Sequence, residues 1–194
     1  MSFNTIEHNR RQNHLTGRDE VWLFGYGSLI YKADFAFLEH RPATIEGWAR
    51  RFWQGSHDHR GTPDAPGRVV TLIEAAGETC GGMAYRVAPG VFEHLDHREK
   101  NGYLRLVTPL TFADGATAEG LVYIAGPDNA AFLGHAPDNE IATHIRHAAG
   151  PSGRNRDYLL QLDEALRELG FDDPHVRTVA DELRAQESAA STAP

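Results

Sequence analysis

Gly25-Tyr26-Gly27-Ser28 follows the apolar run Val21-Trp22-Leu23-Phe24. The run predicts a buried strand, and the two glycines predict a sharp exit from it. Where no side chain blocks approach, consecutive backbone N–H groups converge and can hold an anion or a developing oxyanion. The bland alternative is a tight turn that only joins strand to loop. A second constellation is His97-Arg98-Glu99-Lys100-Asn101-Gly102-Tyr103, one carboxylate between two cations. It lies at the predicted end of a short helix over 91–99, stopped by Asn101-Gly102. Glu93 and Asp96 share the predicted face with Glu99. Glu99 stands apart because the negative end of the helix dipole disfavours a carboxylate at that position. The bland reading is a solvated stripe paired with Arg98 and Lys100. An amide cradle plus a lone carboxylate instead points to acid–base chemistry without a metal.

Other chemistries fit less well. Gly25-x-Gly27 lacks the third small residue of a dinucleotide fingerprint, since position 30 is Ile, and no Gly-Lys-Ser/Thr follows for a phosphate loop. Among the eleven histidines, the pairs His57/His59, His94/His97 and His144/His147 have ligand-like spacing. None has a cysteine partner or a His-Glu-x-x-His frame, so no metal is expected. Cys80, between Thr79 and Gly81, has no motif that would make it a nucleophile. No organic cofactor is called for.

These groups need a scaffold, and the chain is long enough for one. Its 194 residues are 41% hydrophobic and 24% charged, the composition of an ordinary globular domain. No apolar run reaches the length of a membrane span, and the first twenty residues carry no signal-peptide core. With one cysteine and no internal disulfide, a cytoplasmic protein is expected. The net charge of −8 argues against nucleic-acid binding. Residues 41–110 hold nine Lys and Arg against eight Asp and Glu, whereas residues 111–194 hold six against fourteen. A small anionic ligand could thus be met in the segment that carries Glu99. The acidic C-terminal segment reads equally well as solvated helices.

Strands are predicted at 21–24 and 45–52, with a loop at 57–67. Runs at 68–73 and 82–87 predict a hairpin around a Gly-rich turn. Strands at 103–112 and 119–125 flank a turn at Asp114-Gly115. Helices are predicted over 139–149, 155–169 and 175–186. Strands first and helices last imply an α+β fold whose sheet curls toward a barrel with helices outside. The expected organisation is a flexible extension over 1–20, one domain over 21–186 and a flexible tail over 187–194.

Five ordered blocks carry a resemblance. They are Phe24-Gly25-Tyr26-Gly27-Ser28-Leu29-Ile30, Arg50-Arg51-Phe52-Trp53-Gln54-Gly55-Ser56, Pro66-Gly67-Arg68-Val69-Val70-Thr71-Leu72, Arg98-Glu99-Lys100-Asn101-Gly102-Tyr103 and Ala149-Gly150-Pro151-Ser152-Gly153-Arg154-Asn155. Together they resemble the ChaC family of glutathione-specific γ-glutamylcyclotransferases, over roughly 21–169. The resemblance implies a small mixed β-barrel with flanking helices and the cleavage of glutathione to 5-oxoproline and Cys-Gly. It implies that Glu99 is the catalytic glutamate and that the turn Tyr26–Leu29 binds the γ-glutamyl group. The candidate substrate-binding set is Leu23, Phe24, Gly25, Tyr26, Gly27 and Ser28. Arg51, Arg68 and Arg154 are candidates for the glycyl carboxylate. The implied partner is a small molecule, with no nucleic acid, no membrane and no obligate protein partner. Tyr31 and His97 stand where the family usually has Trp and an aromatic residue, which bears on substrate fit. Two alternatives are a cyclotransferase for other γ-glutamyl amines and a non-catalytic γ-glutamyl-binding regulator.

Overall fold

The apolar run at 21–24 forms β1 (Val21–Gly25), and its neighbours close a barrel around it. A computed structural model describes residues 4–191. Packing divides the chain into two compact units, where one domain was expected. Unit 1 comprises 1–49 and 72–130; unit 2 comprises 50–71 and 131–194.

Unit 1 holds β1, the first part of β2 (Glu39–Ser56), the later part of β3 (Gly67–Val87), β4 (Leu104–Phe112) and β5 (Thr117–Ile124). The strand order is β1-β3-β2-β4-β5, closed by β1 lying parallel to β5 with Leu23 opposite Leu121. β1 is antiparallel to β3, with Gly25 opposite Met83, so the barrel is mixed. Leu23, Phe24, Ile45, Leu72, Leu110 and Val122 fill the interior, and each fully buried aliphatic side chain contributes about 1.5–3 kcal/mol. Asp114-Gly115 turns β4 into β5, with Gly115 at φ 80°, a conformation that glycine adopts without strain. α2 (Val91–Arg98) is stitched to the barrel by buried Phe92 and Leu95.

Two expectations for unit 1 are corrected. β3 is one 21-residue strand across the predicted hairpin turn. Its middle, Glu74–Thr79, is half-exposed to exposed, so a polar, Gly-containing strand carries the composition of a turn. The extension is also structured: α1 (Ile6–Arg11) packs with Thr5 and Asn9 fully buried, their polar groups hydrogen-bonded to backbone within 99–105.

Unit 2 contains residues 50–56 of β2, residues 67–71 of β3 and a two-stranded ribbon of β6 (Ala149–Gly150) and β7 (Gly153–Arg154). Three helices follow the predicted apolar spacing: α3 (Asp138–His147), α4 (Asn155–Glu168) and α5 (Pro174–Ser191). Ile141, Ile145, Leu159, Leu162, Val179 and Leu183 form their common core. α5 runs to Ser191, into the stretch expected to be a flexible tail; residues 1–3 and 192–194 of the expected ends lie outside the described residues. Among the described residues no helix is long and apolar enough to cross a membrane.

Candidate active site

All the following groups belong to unit 1 until stated otherwise. β1 delivers the chain to Gly25 and ends there. A Cβ on Gly25 would stand 2.6 Å from the Leu29 Cβ, so the absence of a side chain lets the chain fold back on itself. Gly82 of β3 is needed in the same way, because a Cβ there would collide with the Gly25 carbonyl and the Phe24 ring. Gly27 takes φ −124° and ψ −129°, and a 3-10 turn, Ser28–Ile30, follows. The Ser28 and Leu29 N–H groups open that turn, so no carbonyl of the turn precedes them as a partner. Tyr85 donates its hydroxyl to the Leu29 carbonyl at 2.6 Å and fixes the turn to the barrel. Burial pushes the Tyr85 hydroxyl pKa up to about 12, so it remains a donor across the physiological range.

Glu99 caps the C-terminal end of α2 at φ −94° and ψ 16°, with its N–H on the Leu95 carbonyl at 2.8 Å. Its Oε1 lies 3.2 Å from the Arg98 Nε, and the two side chains are 19% and 17% exposed. Arg98 has two further partners: Nη2 donates to Ser28 Oγ at 2.9 Å and Nη1 to Asp34 Oδ1 at 2.7 Å. One guanidinium thus holds the turn, the loop after it and the helix end that bears Glu99. Burial works to raise the Asp34 pKa, but the charge and hydrogen bond of Arg98, with a contribution from His94, hold its carboxyl below the ordinary range. Asp34 is therefore a fixed anion that anchors Arg98.

Behind this surface lies a sealed polar network. Asp96 is 3% exposed and accepts the Tyr123 hydroxyl at 2.6 Å. Arg105, 1% exposed, faces Asp96 at 3.4 Å. Burial, then the hydrogen bond and charge of Asp96, push the Tyr123 hydroxyl far above its ordinary pKa. The Tyr123 carbonyl accepts the Tyr26 hydroxyl at 2.8 Å. The network therefore runs from α2 to the turn.

The predicted set separates accordingly. Ser28 and Glu99 are joined through Arg98. The side chains of Leu23, Phe24 and Tyr26 are buried, and β1 is paired on both edges at Leu23 and Phe24, so the backbone that lies beyond the strand is that of Tyr26, Gly27 and Ser28. Glu93 is exposed and Asp96 is enclosed, so the shared helix face does not make three equivalent acids. His97 is exposed and Tyr31 half-buried. Cys80 is buried within β3 rather than at a turn. Among the described residues no three His, Cys, Asp or Glu side chains are grouped to hold a metal.

The three candidate arginines belong to unit 2. Arg68 is 8% exposed and donates to the Phe52 and Gly134 carbonyls; burial lowers its pKa, with Glu140 opposing. Arg51 donates to the Arg50 carbonyl, and Arg154 is exposed. Sequence reasoning missed Asp34, Tyr85, Arg105, Tyr123 and Gly82. One signal for Arg105 was present, an arginine within the predicted strand at 103–112.

Comparison with known proteins shows the family. The model of the ChaC-like protein family matches residues 21–186. The chain is 48% identical over 176 residues to gamma-glutamylcyclotransferase 2-3 of Arabidopsis thaliana, covering 84% of this chain and 88% of that protein. It is 40% identical to glutathione-specific gamma-glutamylcyclotransferase 1 of Danio rerio, covering 87% and 91% of the two chains. A crystal structure of the selenomethionine-labelled γ-glutamyl cyclotransferase specific to glutathione from yeast superposes with a TM-score of 0.80 at 30% identity, covering 87% of this chain and 97% of that one. With a mixed five-stranded barrel, and a family match spanning both the turn and Glu99, the chain belongs to the ChaC-like family.

Proposed function

We propose that this protein degrades glutathione by intramolecular cyclisation, releasing 5-oxoproline and Cys-Gly, with Glu99 as the general acid and base. The observation that carries the reading is the bridge of Arg98 between Glu99 and Ser28. It fixes a carboxylate relative to an amide-lined turn, the two parts that this reaction requires.

In the reaction the α-amine of the substrate attacks its own γ-carbonyl carbon. A C–N bond closes the five-membered ring, and the amide bond to the cysteinyl nitrogen breaks. No enzyme nucleophile or co-substrate enters, and holding the folded conformer supplies much of the acceleration. The amine arrives as an ammonium, so a base must take its proton. Glu99 accepts it and returns a proton to the departing Cys-Gly nitrogen. Backbone N–H groups of Gly25–Ser28 stabilise the oxyanion or hold the substrate α-carboxylate. Leu23 and Phe24 act through the backbone of β1, which sets the direction in which the turn points.

Specificity for glutathione requires contacts to Cys-Gly as well as to the γ-glutamyl half, and a charge-assisted bond to the glycyl carboxylate would contribute about 1.5–3 kcal/mol. The proposed compartment is the cytosol, where the lone, buried Cys80 needs no partner. The test is 5-oxoproline release from glutathione, γ-glutamyl-alanine and γ-glutamyl-ε-lysine, measured side by side. Glutathione is expected to have the highest kcat/KM; equal or better values on the other two would overturn the glutathione assignment and leave the cyclisation chemistry in place.

A further inference from the structure

The family match begins at residue 21, yet the segment before it contains two fully buried polar residues. Both are spent on the stretch that carries Glu99. α2 is eight residues long, and the carbonyls at its C-terminal end have no partner within the helix. Thr5 holds the turn just beyond that end, from 95 positions away: its N–H donates to the Lys100 carbonyl at 3.1 Å and its Oγ1 to the same oxygen at 3.2 Å. The Thr5 Oγ1 also lies 3.5 Å from the Glu99 carbonyl. Asn4 and Asn101 form an antiparallel bridge beside it.

Asn9 holds the next stretch. Its Nδ2 donates to the Tyr103 carbonyl at 3.1 Å, and its Oδ1 accepts the Arg105 N–H at 3.0 Å. The side-chain amide thereby completes both backbone groups at the start of β4, as a neighbouring strand would. The Asn9 carbonyl accepts from the Arg105 guanidinium, which faces Asp96 on α2. Residues 99–105 are thus held by hydrogen bonds to Thr5 and Asn9, which are 0% exposed.

We infer that the segment Thr5–Asn9, outside the span shared with the family, is a strap that positions the Glu99 carboxylate for proton transfer. The inference rests on the cyclotransferase reading with Glu99 as the base. Thr5 and Asn9 do not touch the reacting atoms; they act through the backbone of Glu99–Arg105. The turn has an anchor of its own, independent of α2, in the Tyr85 hydroxyl on the Leu29 carbonyl. Loosening the strap therefore affects the chemical step more than ligand binding.

The experiment measures kcat and KM for glutathione in full-length Thr5→Ser, Thr5→Val, Asn9→Ala and Glu99→Gln, at a temperature where thermal melts show each variant folded. Thr5→Val removes the hydroxyl and keeps the shape, and kcat falls about threefold; Asn9→Ala lowers kcat about tenfold or more, because small misplacements of a reacting group cost rate steeply. KM stays within about twofold in both, since contacts realised only in the transition state are the ones lost. Thr5→Ser restores the wild-type kcat. A lowered melting temperature with unchanged kcat in Thr5→Val and Asn9→Ala would make the strap purely structural and overturn the inference. If Asn9→Ala does not fold, the Thr5→Ser and Thr5→Val pair decides alone. Glu99→Gln separates the two levels: an inactive Glu99→Gln beside fully active strap variants sinks the strap only, whereas an active Glu99→Gln removes the base on which it rests.

Discussion

Asp96 and Glu99 stand three residues apart at the end of α2, and each faces an arginine. The Asp96–Arg105 pair is 4% and 1% exposed, accepts a tyrosine hydroxyl and reaches no solvent. The Glu99–Arg98 pair is 19% and 17% exposed, and its arginine reaches outward to Ser28 and Asp34. The same two functional groups therefore occur in a closed and an open setting. In the closed setting the Asp96 carboxylate is held by Arg105 and the Tyr123 hydroxyl, and breaking either contact disrupts the network. In the open setting the carboxylate is 19% exposed and lies beside an arginine that also reaches the turn. Burial, more than residue type, separates the two carboxylate–arginine pairs.

The sharpest way to break that comparison is Glu99→Gln. It keeps the shape and removes the base, so kcat should fall by about 10²–10⁴, the range of general acid–base catalysis, while calorimetry with a non-reactive glutathione analogue still shows binding. Wild-type turnover in this variant would end the assignment. Glu93→Gln is the proper control because Glu93 is exposed on the same helix.

Asp96→Asn is no such control, despite sharing the helix face. It strands Arg105 without a charged partner, and removing one member of a buried pair typically costs about 3–5 kcal/mol. Much of a domain's net stability is of that size. A large drop in the urea midpoint is expected, with residual activity in whatever remains folded. A midpoint equal to wild type would show that Asp96 does not brace α2.

Arg98→Lys gives a smaller effect and sharpens the open side. An ammonium is a point charge and cannot hold Glu99, Ser28 and Asp34 in one planar geometry. About a tenfold loss in kcat/KM is expected, split between kcat, through Glu99, and KM, through the turn. Unchanged constants would show that the bridge does not position either group.

The helix end at Glu99 and the turn after β1 were legible because each rests on local signals, an Asn-Gly stop and a glycine pair. Their partners were not, because these are long-range: Asp34 lies 64 residues from Arg98, and Asn9 lies 96 from Arg105. Nothing local at Asp34 or Asn9 distinguishes them from surface polar residues. The barrel was legible in outline through its apolar runs and the Asp114-Gly115 turn. The continuity of β3 was not, because solvent on the exposed Glu74–Thr79 stretch permits the polar residues and glycine that also make turns. The extension read as flexible because its composition is polar, and only the structure shows where those polar groups are paired.

Unit 2 supplies the mildest test, a largely buried histidine whose pKa is lowered. His175 on α5 accepts the Phe52 N–H at Nε2, 3.1 Å away, and its Nδ1 lies 3.2 Å from Asp138. The first contact requires a bare Nε2, so the ring is neutral with its proton on Nδ1. Burial lowers its pKa below the ordinary 6.5; Asp138 and Asp173 oppose that shift and Arg51 adds to it. Since the folded form resists protonation and the unfolded chain does not, His175 contributes stability above pH 6.5. That contribution is lost progressively as pH falls from there toward the lower folded value. The urea midpoint should therefore decline between pH 7.5 and 5.5. Because the chain has eleven histidines, the informative quantity is the difference from His175→Asn. That variant is expected to be less stable at pH 7.5 and to show a flatter decline. Parallel declines in the two proteins would show that His175 is not the group responsible. In that case the sealed setting would not govern titration in unit 2 as it governs the Tyr123 hydroxyl in unit 1.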